Sequence, residues 1–88
     1  MMSLENLEEE FRKRGIVFED RGSREAINVY YRMLYTHVAR KEKISYQDIG
    51  ERIGRNYSTA IYYNKIFKSS IKYDVKFKEF IKEWEEFI

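Results

Sequence analysis

Apolar residues recur along this chain at steps of three and four, and no segment alternates long enough to signal a convincing strand pair. Leu4, Leu7 and Phe11 mark one face of a first helix, which Ser3 can cap and Gly15 can end because glycine takes a positive φ cheaply. The connector Ile16-Val17-Phe18 is expected to pack on the body of the domain; the alternative is an exposed strip that pairs with a second copy. After the punctuation of Gly22, Ser23 is the expected cap of a long helix to about Lys41, with Ala26, Ile27, Tyr30, Met33, Leu34 and Val38 as its apolar positions. Ser45 and Asp48, a capping-box variant, open a short helix that turns Ile49 and Ile53 inward and stops at Gly54. Asn56 then caps a helix to about Ser70, with Ala60, Tyr63 and Phe67 on its inner face. Asp74 caps a last helix striped by Phe77, Phe80, Ile81, Trp84, Phe87 and Ile88, which makes Trp84 a core anchor. The pattern predicts an all-α domain of four or five helices with a central helix-turn-helix at residues 45–70.

The 88 residues suffice for one small domain, which buries roughly 60 to 65% of its unfolded surface. With no cysteine there is no disulfide or thiolate metal site, and the single histidine, His37, cannot build a metal cage without carboxylate help. No metal and no cofactor is expected. No apolar run approaches the ~20 residues that span a bilayer, and the acidic start MMSLENLEEEF is unlike a secretory signal, so a cytoplasmic setting is expected. The net charge of +2 conceals a division along the chain. Residues 1–20 hold three basic and six acidic groups, residues 21–73 eleven and four, and residues 74–88 three and five. A basic centre between acidic ends points to a polyanionic partner for the middle segment.

Within that segment the stretch GRNYSTAIYYNK, Gly54 to Lys65, raises the sharpest question. A glycine inside a helix costs ~1 kcal/mol relative to alanine, so Gly50 needs a compensating reason, and close helix packing supplies one. If Ala60, Tyr63 and Phe67 face inward, then Tyr57, Ser58, Ile61, Tyr62 and Lys65 face outward or sideways. Asn56, Ser58 and Thr59 bring amide and hydroxyl groups suited to base edges, with Asn able to pair bidentately with adenine, and Ile61 or a tyrosine ring suits a thymine methyl. Arg55 and Lys65 can hold phosphates at either end, and the helix N-terminus adds positive potential.

These residues carry a resemblance. Ser45 to Ala60, SYQDIGERIGRNYSTA, resembles SLPEIGxxFGGRDHTTV in the C-terminal DNA-binding domain of the bacterial replication initiator DnaA, with one glycine fewer in the turn. Upstream, Ser23-Arg24, Val29 and Tyr31-Arg32 resemble that family's S-R, V and P-R at the same spacing. The likeness covers about residues 23–70 and divides the chain into an acidic N-terminal helix and connector, 1–22, and a DnaA-like domain with a C-terminal amphipathic helix, 23–88. It implies double-stranded DNA as the partner. It puts base reading on Arg55, Asn56, Tyr57, Ser58 and Thr59, a minor-groove arginine on Arg32, and a backbone phosphate clamp on Tyr46 and Gln47. Asn56 in place of the family's aspartate favours adenine over cytosine, and Tyr57 in place of histidine enlarges the contact, so the family's recognition sequence does not transfer. No G-x-x-x-x-G-K-[ST] loop is present, so the resemblance implies a free-standing module, a regulator or replication accessory protein without the ATPase.

Beyond the matched motif, Tyr62 and Lys65 are expected to extend the contact, and Arg24, Lys43 and Arg52 to hold phosphates. His37 reads as a packed or surface imidazole, and one histidine without cysteine assembles no catalytic constellation, so no enzyme activity is expected. The competing class is a protein-interaction module built on Tyr57, Ile61 and Tyr62; RNA is a third partner, through tyrosine stacking. Self-association through the N-terminal helix is the further partner reading.

Overall fold

The computed structural model describes residues 2–19 and 26–88. Among them are five α-helices, a closing 3₁₀ segment and no strand: α1 Leu4–Lys13, α2 Ala26–Lys41, α3 Tyr46–Ile53, α4 Tyr57–Tyr73, α5 Val75–Ile81, then Lys82–Phe87. The all-helical expectation holds, and helix starts follow local chemistry. Ser3 Oγ accepts from the Asn6 N–H while the Asn6 side chain accepts from the Ser3 N–H, a reciprocal box that satisfies two otherwise orphaned donors. Ser45 caps α3 through the Asp48 N–H, Asn56 caps α4 through the Thr59 N–H, and Asp74 caps α5 through the Phe77 N–H. At Ser45 only half of the expected box forms, because the Asp48 carboxylate makes no return bond.

Leu4, Leu7 and Phe11 of α1 lie in the same buried cluster as the later helices. The Glu42 carboxylate at the end of α2 accepts from the Leu4 N–H, which ties the start of α1 to the body. The apolar face of α1 is therefore spent inside the domain rather than left for a second copy. Of the connector, Phe18 is buried and Ile16 packs against the core, but Val17 is exposed, so no continuous apolar strip remains.

Helix α2 departs most from the pattern. Ser23, Gly22 and Arg24 lie outside the described residues, so neither the cap nor the Arg24 phosphate contact can be placed. Ala26 and Ile27, expected inward, are exposed, with Ile27 at 41%. Farther along, Arg32, Met33, Leu34, Tyr35, Thr36, Val38 and Ala39 are all buried. The reason is placement: α2 packs against α1, α3 and α4 at once, which encloses residues 32–36, 38 and 39 and leaves His37, Arg40 and Lys41 toward the outside.

Helix α4 runs three residues beyond the expected Ser70, ending where Asp74 begins α5. The last apolar stripe is not one continuous α-helix. It passes at Lys82 into a 3₁₀ segment, whose three-residue turn aligns Ile81, Trp84 and Phe87 on one buried edge. Trp84 anchors the core as expected, edge-on to Phe11 at 5.4 Å between centroids and covered by the Arg14 guanidinium at 4.5 Å.

Candidate nucleic-acid interface

The interface candidate is built on α3, the turn after it and α4. Gly54 closes α3 at φ 69°, with its own N–H bonded to the Glu51 carbonyl and the Arg55 N–H to the Gly50 carbonyl at 2.8 Å. Gly50 is required by that turn. A Cβ there would stand 2.8 Å from the Arg55 carbonyl oxygen and 2.9 Å from the Asn56 carbonyl carbon, both backbone atoms that cannot swing aside. The close approach is thus to the turn itself, a sharper reason than helix packing in general. Ile49 and Ile53 seal α3 from below, and Ala60, Tyr63 and Phe67 seal α4.

The outer face of α4 is where the periodicity puts it. Tyr57 is 60% exposed and Tyr62 56%, with Ser58, Ile61 and Lys65 exposed beside them. Thr59 is half-buried. Asn56 behaves differently from the expectation of a bidentate adenine contact. Its Oδ1 accepts from the Thr59 N–H at 3.0 Å, the Ser58 hydroxyl at 2.7 Å and the Thr59 hydroxyl at 3.2 Å. The bidentate pair needs that oxygen, so in this arrangement only the Nδ2 amide is left for a base edge. Arg55 is half-buried and donates to the Gly54 carbonyl at 2.8 Å, folding back along the turn.

Arg32 corrects a second expectation. It is 1% exposed, and its Nε donates to the Phe18 carbonyl at 2.7 Å. An arginine enclosed by the connector and α2 cannot enter a minor groove; it fastens the connector to the core. Arg52 is exposed but lies apart from the basic side of α4. It donates to the Tyr35 hydroxyl at 3.4 Å in a cleft shared with Glu8, Arg12 and Glu19. Burial pushes the Tyr35 phenol above its ordinary range, and the bond to that phenol raises Arg52 further.

At the start of α3, the N–H groups of Tyr46 and Gln47 head the helix, with no preceding turn to accept from them. The Tyr46 side chain is locked in place: its hydroxyl accepts from Asn64 Nδ2 at 2.9 Å, and the Arg40 guanidinium lies 4.3 Å over its ring. This Arg40–Tyr46–Asn64 chain joins the end of α2, the start of α3 and the middle of α4. Lys43, exposed in the turn between α2 and α3, sits at φ 63°, the one positive φ outside glycine among the described residues.

Beside that chain is an open recess of about 490 Å³ lined by His37, Arg40, Lys41, Asn64, Lys65 and Lys68. Only Lys65 of this set was singled out for nucleic acid by the sequence. The Lys65 and Lys68 pair at i, i+3 is the sequence signal that was present. His37 packs flat on Phe67, with centroids 4.0 Å apart. Burial first, then the charges of Lys41 and Lys68, push its pKa down to about 4, so the imidazole is neutral at neutral pH.

Among the described residues no group of three His, Cys, Asp or Glu side chains is placed to hold a metal ion. No described helix is long and apolar enough to cross a membrane. No protein family model matches the chain, and comparison with curated proteins and with solved structures finds no match.

Proposed function

We propose that the protein binds duplex DNA, sequence-specifically and without catalysis, by laying the N-terminal half of α4 in the major groove. The observation that carries this reading is the conjunction on one side of the molecule of an exposed α4 face, Tyr57, Ser58, Ile61, Tyr62 and Lys65, with unneutralised basic groups beside it. The ion pairs among the described residues instead join Arg12 to Glu9, Arg14 to Glu10 and Glu83, and Lys82 to Glu79, all on the α1 and C-terminal side. Fold geometry favours the same reading, since a short helix, a glycine turn and a longer helix with a tightly sealed inner face is the arrangement that presents a recognition helix. The resemblance of residues 45–60 to the DnaA DNA-binding domain supports it independently, and with it a role as a regulator or replication accessory protein in the cytoplasm.

Base reading then rests on Tyr57, Ser58 and the Asn56 amide, with Tyr62 and Lys65 extending the contact and the α3 N–H groups of Tyr46 and Gln47 meeting a phosphate. Selection from a randomised duplex pool is expected to enrich a motif, with affinity falling steeply as salt rises through counterion release. Asn56→Asp divides the two roles of that residue. Aspartate caps a helix about as well as asparagine, so stability changes by less than about 0.5 kcal/mol, while loss of the amide donor changes the enriched base.

A second reading has its own observation, the exposed apolar surface of Tyr57, Ile61 and Tyr62. Such a surface fits a helical protein partner, for which tyrosine is a frequent anchor. No enriched motif and no duplex binding even at low salt would leave that interaction module as the function.

A further inference from the structure

We propose that the recess between the end of α2 and the middle of α4, walled by Arg40, Lys41, Lys65, Lys68 and Asn64, is a phosphate seat that grips the DNA backbone flanking the groove entered by α4. The inference rests on the duplex-binding reading and adds to it Arg40 and Lys41 of α2, which lie outside the helix-turn-helix. Four cationic side chains converge there, and none of the ion pairs formed among the described residues involves any of them. Uncompensated cations around one concavity repel each other in the free protein, a cost that an anion removes.

Two of the donors are already positioned. Arg40 is held by its bond to the Ile44 carbonyl at 2.7 Å and by its stacking on Tyr46, yet only one of its five N–H donors is used in that bond. Asn64 is held by its bond to the Tyr46 hydroxyl. Lys41 reaches the main-chain oxygen of Ile88, while Lys65 and Lys68 form no hydrogen bond or ion pair among the described residues. His37 closes the wall, and its buried Nε2 has no hydrogen-bond partner. A fixed guanidinium, ammonium groups and an amide are donors that suit phosphate oxygens, and an open recess admits a phosphodiester passing through it. Position agrees as well: Lys65 and Lys68 follow Ile61 at four and seven residues along α4, so the recess continues the stripe that carries Ile61.

The single histidine makes the seat observable. Its Cε1–H resonance is followed from neutral pH downward, in chloride and again in pyrophosphate. The expected result is a titration midpoint raised by roughly one pH unit in pyrophosphate, the effect of an anion several ångströms away at an effective dielectric near 20. That rise should disappear in Lys65→Ala/Lys68→Ala and persist in Lys78→Ala, an exposed lysine on α5. In a duplex-binding assay, Lys68→Ala should lower the slope of log affinity against log salt by about one and weaken all sequences alike. If duplex binds, but neither duplex nor pyrophosphate moves the His37 titration and the Lys68→Ala slope is unchanged, the seat is overturned and the duplex reading stands. If pyrophosphate moves the titration and no duplex binds, the duplex assignment is overturned and the seat belongs to a free phosphate compound.

Discussion

The two turns that bracket α3 have the same backbone and different side chains. At the second, Gly54 stands at φ 69°, its N–H bonded to Glu51 and that of Arg55 to Gly50. At the first, Lys43 stands at φ 63°, its N–H bonded to Arg40 at 3.0 Å and that of Ile44 to Ala39 at 3.2 Å. Both are Schellman closures, in which the N–H of a left-handed residue and the N–H of the residue after it satisfy two of the last carbonyls. Glycine occupies one at no steric cost. Lysine occupies the other at a cost of roughly 1–2 kcal/mol. A left-handed closure is therefore a requirement of the fold at both places, but at residue 43 something is retained that glycine lacks. Strain of this kind collects where side chains have other work, and Lys43 lies in the turn leading into α3, next to the basic side of the molecule.

The largest test of this contrast is at the turn where no side chain is tolerated. Gly50→Ala drives a Cβ to within 2.8 Å of the Arg55 carbonyl, so the turn must open or α3 must shift. A loss of about 1–3 kcal/mol is expected in urea unfolding, and under the duplex reading binding falls with it because α4 moves on its mount. A loss under about 0.5 kcal/mol would mean that the two helices are not held by that contact. Gly54→Ala comes next, at about 1 kcal/mol, because alanine bears the left-handed penalty and regains part of it through lower chain entropy when unfolded. Its carbonyl and N–H partners remain, so the defect is one of stability, with base preference unchanged.

What the sequence made legible was local. The caps at Ser3, Ser45, Asn56 and Asp74, the stop at Gly54, and the inner face Ala60, Tyr63 and Phe67 each depend on neighbours within four residues, and each is found in the structure. What stayed hidden depends on residues far apart. Arg32 had its minor-groove role from the resemblance alone; α2 is packed on several sides, and the Phe18 carbonyl that holds the guanidinium comes from before the helix. Ala26 and Ile27 erred in the opposite direction, having the right periodicity but standing exposed at the start of α2. The basic recess joins Arg40 and Lys41 to Lys65 and Lys68 across the helix-turn-helix, so periodicity within either helix does not reveal it. Asn56 was legible as a cap and as a polar group, but not as both at once: the carbonyl oxygen that caps α4 is the one a bidentate base pair would need.

Lys43→Gly gives the smallest and most diagnostic effect. If the turn matters only for closure, glycine improves it: relief of the left-handed penalty outweighs the entropy lost on ordering a glycine, for a net gain of up to about 1 kcal/mol in urea unfolding. The turn's bonds, Lys43 N–H to Arg40 and Ile44 N–H to Ala39, are backbone to backbone and survive the change. Under the duplex reading the same variant loses a cation facing a phosphate, so its salt slope falls by about one while its preference among sequences is unchanged. A more stable protein that binds DNA less tightly would mark residue 43 as a place where conformational strain is kept for charge. A more stable protein with an unaltered salt slope would remove Lys43 from the interface and leave its strain without a binding role.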